Sequence, residues 1–164
     1  MSIDQRLAEL GITLPAAAAP VAAYVPTVEV NGLLHVSGQI SFAENGELIT
    51  GRLGESLDLA RGQAAARRCG IMLLAQLKSA LGSLDRVERI VKLGVFVNST
   101  SDFTDQPKVA NGASELLVQV FGLSFGNSGM KIAASPDSTN NSKPARGLGD
   151  ISGAARHPPA IPRR

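Results

Sequence analysis

The sequence predicts a mixed α/β domain over residues 1–122, followed by a basic tail over 123–164. Three observations carry that reading. Asn31-Gly32 separates two short β-prone runs, the strongest local hairpin signal, because both residues accept positive φ. Two helical segments, 58–81 and 106–121, alternate with an apolar run, Ile90–Val97, and alternation of this kind builds α/β layers with both helices on one sheet face. All 12 valines lie before residue 122, and five of the nine prolines lie after it.

Element by element, Ser2 can cap a short helix over 2–10, with Ile3, Leu7 and Leu10 on one face and Gly11 to end it. Residues 14–26 hold Pro15, Pro20 and Pro26, which suits an extended segment rather than a helix or a central strand. Thr27–Val30 and Leu33–Gln39 form the hairpin arms. Leu34, Val36 and Gly38 share one face, and Leu33, His35 and Ser37 share the other. Residues 43–47 make a second turn. In 58–81, Gly62, Ala66, Cys69, Leu73, Leu77 and Leu81 recur at three- and four-residue steps, and small residues early in that stripe allow close approach to a sheet. Asp58 or Ser56 can cap this helix and Gly82 can end it. The run within 85–98 reads as a strand, and 98–105 as a polar connection. Pro107 is tolerated in the first turn of the second helix, which Gly122 stops.

Charge divides at the same boundary. Residues 1–122 hold 10 Lys+Arg against 12 Asp+Glu, net −2, whereas 123–164 hold 6 against 2, net +4. The body therefore lacks the clustered cations that phosphate binding requires, and nucleic acid is not an expected partner. The Gly/Ser/Asn/Pro-rich tail buries too little apolar surface to offset the entropy of ordering it, so it is expected to be disordered, with no strand returning to the sheet. The alternative is an arm that docks on a partner subunit. No stretch of about 18 apolar residues occurs, which excludes a spanning helix. Residues 1–11 lack the basic-then-apolar order of a secretory leader, so a cytoplasmic setting is expected. His35, His157 and the single Cys69 lie too far apart in sequence to suggest a metal site, and no cofactor is expected.

The run Tyr24-Val25-Pro26, followed by Asn31-Gly32-Leu33-Leu34-His35-Val36-Ser37-Gly38-Gln39, resembles the RidA/YjgF family. Gln63-Ala64-Ala65-Ala66-Arg67, Leu84-Asp85-Arg86-Val87, Val91–Asn98 and Asn111–Leu117 extend the likeness over residues 1–122. The resemblance implies a chorismate-mutase-like fold and a homotrimer with clefts between subunits. It also implies hydrolysis of reactive enamines and imines, such as 2-aminoacrylate, to keto acids and ammonia. Other members are described as endoribonucleases or translation inhibitors. After Gly122 the chain departs from the family pattern. No residue can be assigned to the arginine that grips the substrate carboxylate, and the Ala/Arg/Pro-rich ending is compatible with out-of-frame coding. Impaired catalysis is the resulting expectation, with a non-catalytic binding module for a small metabolite or a protein as the alternative.

By the same resemblance Tyr24, Ser37 and Asn111 are the substrate-binding candidates. Ser37 either lines the cleft or bonds backbone within its strand. Tyr24 either hydrogen-bonds substrate or plugs the cleft with its ring, and Asn111 either fixes a loop or touches substrate. No catalytic residue is assigned. His35 shares a face with Ser37, but no acid partner is evident, so a Ser/His triad is not expected. Arg61, Arg67 and Arg68 read as solvated helix charges, and Cys69 as buried packing.

Overall fold

The computed structural model describes residues 1–17 and 24–122, and the backbone of residues 131–135. The element order is α1 (Ile3–Glu9), β1 (Thr27–Val30), β2 (Leu33–Val36), α2 (Leu59–Leu81), a 3₁₀ turn (Leu84–Arg86), β3 (Gly94–Asn98), α3 (Gln106–Phe121) and β4 (Lys131–Ser135).

Local chemistry accounts for most boundaries. Ser2 caps α1 through a full capping box: its hydroxyl accepts from Gln5 N–H, and the Gln5 side chain accepts from Ser2 N–H. Asp58 caps α2 by accepting from Arg61 N–H at 2.8 Å. The β1–β2 ladder pairs Thr27 with Val36 and Val30 with Leu33. Asn31 (φ 50°) and Gly32 (φ 76°) turn the chain between them. This is the positive-φ pair that a tight hairpin needs. Gly122 ends α3 in the left-handed region, its N–H donating to Val118 C=O.

The core is formed chiefly by α2 packed on α3. Leu74, Leu84, Leu116 and Val120 are fully buried, with Leu7 of α1 and Val97 of β3 closing the cluster. Glycines set the closeness of the helix pair. A Cβ on Gly112 would meet the Gln63 backbone, and one on Gly70 would lie 2.8 Å from Leu116 Cδ2. The Gln63 side chain adds a hydrogen bond across the crossing to Lys108 C=O at 2.9 Å. The Asp85 carboxylate accepts from Ile3 N–H at 2.8 Å, and Lys78 pairs with Asp4 at 2.7 Å; both hold α1 against the body.

Three expectations need correction. The residue stripe predicted for α2 is not its best-buried face: Cys69, Leu73 and Leu77 are half-buried, whereas Gly70, Ile71, Leu74 and Ala75 are buried. The reason is that α2 packs most tightly against α3, not against a sheet. The strand read through Ile90–Val97 is shorter, because among the described residues only Gly94–Asn98 finds a ladder partner. That partner is the third correction. β4 pairs in parallel with β3, from Gly94↔Lys131 to Asn98↔Ser135, so a strand does follow the second helix. Lys131-Ile132-Ala133-Ala134-Ser135 has one β-branched residue and weak strand propensity, so its pairing comes from β3 rather than from local preference. Among the described residues the four strands form two separate pairs, β1–β2 antiparallel and β3–β4 parallel. The predicted disorder of 136–164, and of 123–130, lies outside the described residues.

Candidate functional site

The hairpin positions the first two candidates. Ser37 N–H donates to Pro26 C=O at 2.9 Å, which closes the open end of the hairpin and sets Ser37 beside the Tyr24–Pro26 segment. The Ser37 hydroxyl is enclosed and has no hydrogen-bond partner among the described residues. A buried hydroxyl without a partner is costly, so a water or a ligand atom is its natural complement. Tyr24 is half-exposed. Asn111 lies half-buried on α3, where its carbonyl accepts a long 3.5 Å bond from Ser114 Oγ. Among the described residues no hydrogen bond joins Asn111 to Tyr24 or Ser37. The Ser37–Pro26 bond places Ser37 at the end of the hairpin that the Tyr24–Pro26 segment enters, and Asn111 lies on a separate element.

The other titratable groups are engaged in the fold or lack a catalytic partner. Arg68 Nε donates to Phe42 C=O at 2.9 Å, and its Nη1 pairs with Glu44 at 3.4 Å, so it pins the 43–47 turn to α2 instead of standing free as expected. Arg67 reaches Gln119 at 3.3 Å. Arg52 Nε donates to Ser99 C=O at 3.3 Å. Asp102 is held below the usual carboxylate range by the Thr100 side chain, by its own backbone N–H and by Arg52. His35 is exposed, and no ion pair reaches it among the described residues. Burial pushes the Cys69 thiol up, opposite to what a nucleophile needs. No group of three His, Cys, Asp or Glu side chains capable of holding a metal occurs among the described residues.

A cavity of about 350 Å³ opens between α2 and β3. It is lined by Gly62, Ala65, Ala66, Cys69 and Leu73 of α2, by Gly38, Gln39, Ser41, Ile49 and Gly51, and by Lys92–Asn98. Sequence reasoning missed this volume, although the signal was present. The small residues of α2, read as permitting close approach to a sheet, leave open space on their sheet side.

Comparison with known proteins follows from this geometry. Residues 4–144 match the family model described as "YjgF/chorismate mutase-like, putative endoribonuclease". The match runs past Gly122, beyond the residues that carry the sequence resemblance. Protein TCP17 of Trypanosoma cruzi is 54% identical over 124 residues, covering 76% of this chain and 78% of that protein. A crystal structure of an Agrobacterium tumefaciens protein of unknown function superimposes with a TM-score of 0.67 at 40% identity, covering 83% of each chain. A Shewanella oneidensis structure titled as a putative endoribonuclease does so with a TM-score of 0.70 at 32% identity, covering 83% of this chain and 87% of that one. No helix among the described residues is long and apolar enough to cross a membrane.

Proposed function

The chain belongs to the YjgF/chorismate mutase-like family, and from that premise we propose that it acts on reactive enamines and imines of the 2-aminoacrylate type, hydrolysing them at clefts between the subunits of a cytoplasmic homotrimer. The observation that carries this reading is the enclosed Ser37 hydroxyl without a partner, on a backbone that bonds Pro26, two residues from Tyr24 in sequence. In the reaction a water adds to the C=N carbon of the imine tautomer. The carbinolamine then collapses to the keto acid, and nitrogen leaves as ammonia with the transferred proton. Ser37 and Tyr24 would orient that water or the substrate, and Asn111 would support the cleft. Such a reaction asks mainly for positioning and exclusion of bulk water. Exposed apolar side chains on both strand pairs, Val28, Val30, Leu33 and Phe96, support burial against further subunits.

The activity is expected to be weak. Arg52, Arg67 and Arg68 are held by this subunit's own groups, and the sequence beyond Gly122 offers no arginine in the family context. Ammonia release from freshly generated 2-aminoacrylate tests the proposal. A slow rate above the protein-free control, reduced further by Ser37→Ala, supports it; a rate equal to the control removes it. The second reading is a binding module for a small carboxylate metabolite or a protein. It is favoured by the absence of any hydrogen-bonded nucleophile–base pair among the described residues, and affinity without turnover would establish it. Action on RNA is the weakest reading, because residues 1–122 carry net −2.

A further inference from the structure

We propose that residues 39–50 form a flap that opens as a unit away from α2, and that the Arg68 guanidinium is its latch. Opening exposes the cleft between α2 and β3. The inference requires neither the imine chemistry proposed above nor any particular ligand.

The segment is braced on itself. Ile49 N–H donates to Ser41 C=O at 2.8 Å, the Ser41 hydroxyl donates to Ile49 C=O at 3.0 Å, and Ala43 N–H donates to Glu47 C=O at 2.8 Å. Gly46 (φ 83°) turns the chain at its tip. Both roots are fixed to the body. Ser37 N–H bonds Pro26 C=O just before the segment, and Asn98 Nδ2 donates to Gly51 C=O at 3.0 Å just after it. The root glycines supply freedom to pivot. A Cβ on Gly38 would meet nothing within 4 Å, and Gly51 sits at φ 144°, which other residues rarely adopt.

Apolar packing does little to hold this segment down. Ile40 and Leu48 are exposed, and among the described residues none of Ile40, Phe42, Leu48 and Ile49 belongs to the core cluster or packs against it. Segments with few buried apolar contacts open at the lowest local free energies. Among the described residues, the hydrogen bonds that tie the segment to α2 both come from Arg68: Nε to Phe42 C=O at 2.9 Å and Nη1 to Glu44 at 3.4 Å. The two are unequal. The Glu44 side chain is 89% exposed, so its pair contributes little. The Arg68 side chain is 18% exposed and its Nε bond is charge-assisted, which makes Phe42 C=O the main hold.

Cys69, the only cysteine of the chain, reports the opening. It follows Arg68 on α2, is half-buried, and lines the same cleft as Gln39, Ser41 and Ile49. Its alkylation by monobromobimane in the native protein should follow the open fraction. Arg68→Met keeps an aliphatic stem, removes both bonds, and should speed alkylation about tenfold. Loss of a neighbouring cation would by itself slow a thiol, so a faster rate cannot come from charge. Glu44→Gln should raise the rate no more than about threefold, and Arg61→Met, at an exposed position of the same helix, should leave it unchanged. Hydrogen exchange separates swinging from unfolding: in Arg68→Met the Ala43 and Ile49 amides, and those of α2, should keep their protection. If Arg68→Met loses helical circular dichroism, Arg68→Lys carries the same test with a smaller rise. The proposal is overturned if removing the guanidinium leaves the alkylation rate unchanged, or if Glu44→Gln raises it equally. It is also overturned if the Ala43 and Ile49 amides lose protection as the rate rises, because the segment would then unravel and not swing.

Discussion

Substituting Gly112 by alanine is the sharpest probe of how this fold is held. A Cβ at position 112 would intrude on the Gln63 carbonyl oxygen and would lie 2.8 Å from its carbonyl carbon and 3.0 Å from its Cα. Carbon atoms pack at about 3.5–4.0 Å, so α3 must retreat from α2 by roughly 1 Å. A gap of that size forfeits a quarter to a half of the dispersion energy of each contact it opens. Backbone cannot rotate aside as a side chain can, which places the cost at or above the upper end of the ~1–3 kcal/mol typical of overpacking. Alanine's better helix propensity returns about 1 kcal/mol. The net expectation is a loss of at least about 2 kcal/mol. Gly70→Ala should cost less, because its Cβ meets only the movable Leu116 Cδ2 at 2.8 Å. Gly38→Ala, with nothing within 4 Å, should be close to neutral. Urea titration of the three variants, followed by helical circular dichroism, gives the order. If Gly112→Ala proves as stable as Gly38→Ala, the close crossing of α2 and α3 does not organise this core.

The same crossing shows what the sequence could and could not convey. Caps and turns were legible because they depend on neighbours: Ser2, Asp58, Asn31-Gly32 and Gly122 act where their local chemistry places them. Both long helices follow their apolar spacing to within a residue or two. What periodicity could not say was which partner each face of α2 would meet. The stripe through Cys69 and Leu73 is apolar, yet it borders the cavity, while α3 takes the face carrying Gly70 and Leu74. β4 was illegible for a related reason: a five-residue strand with two alanines and a single β-branched residue has little preference of its own, and its pairing is specified by β3. Of the site, the Ser37–Pro26 bond continues the hairpin register, whereas the cavity arises from tertiary packing alone.

Three further outcomes are expected. Asp58→Ala removes the acceptor for Arg61 N–H and should cost about 0.5–2 kcal/mol, measured by thermal unfolding; an unchanged midpoint would mean that another group caps α2. Cys69 should alkylate with a pH midpoint above that of the unfolded chain, because burial disfavours its thiolate. By linkage the thiol's contribution to stability is fully present below the unfolded-state pKa and is lost as pH rises toward the folded-state value. Midpoints that coincide in folded and urea-unfolded protein would refute this. Phe96→Ser should reduce self-association in light scattering, since Phe96 is 84% exposed on β3; association unaltered by the change would place the contact elsewhere.

These observations divide the molecule by how its surfaces are satisfied. On the helical side, α2, α3 and α1 exclude water from one another through fully buried Leu74, Leu116 and Val120 and through the bonds that Asp85 and Lys78 make to α1. That side has its partners within the chain. On the sheet side, the strands among the described residues are joined only in pairs, Val28, Val30, Leu33 and Phe96 are exposed, and an apolar cleft lies between α2 and β3. Apolar surface of this extent draws a partner, because the free energy of covering it grows with the area removed from water. Substitutions on the helical side should therefore act through stability and leave association alone, whereas those on the sheet side should act through association and ligand binding. A Leu74→Ala variant that lowers the urea midpoint without changing light scattering, beside a Phe96→Ser variant that does the reverse, is the outcome this division requires.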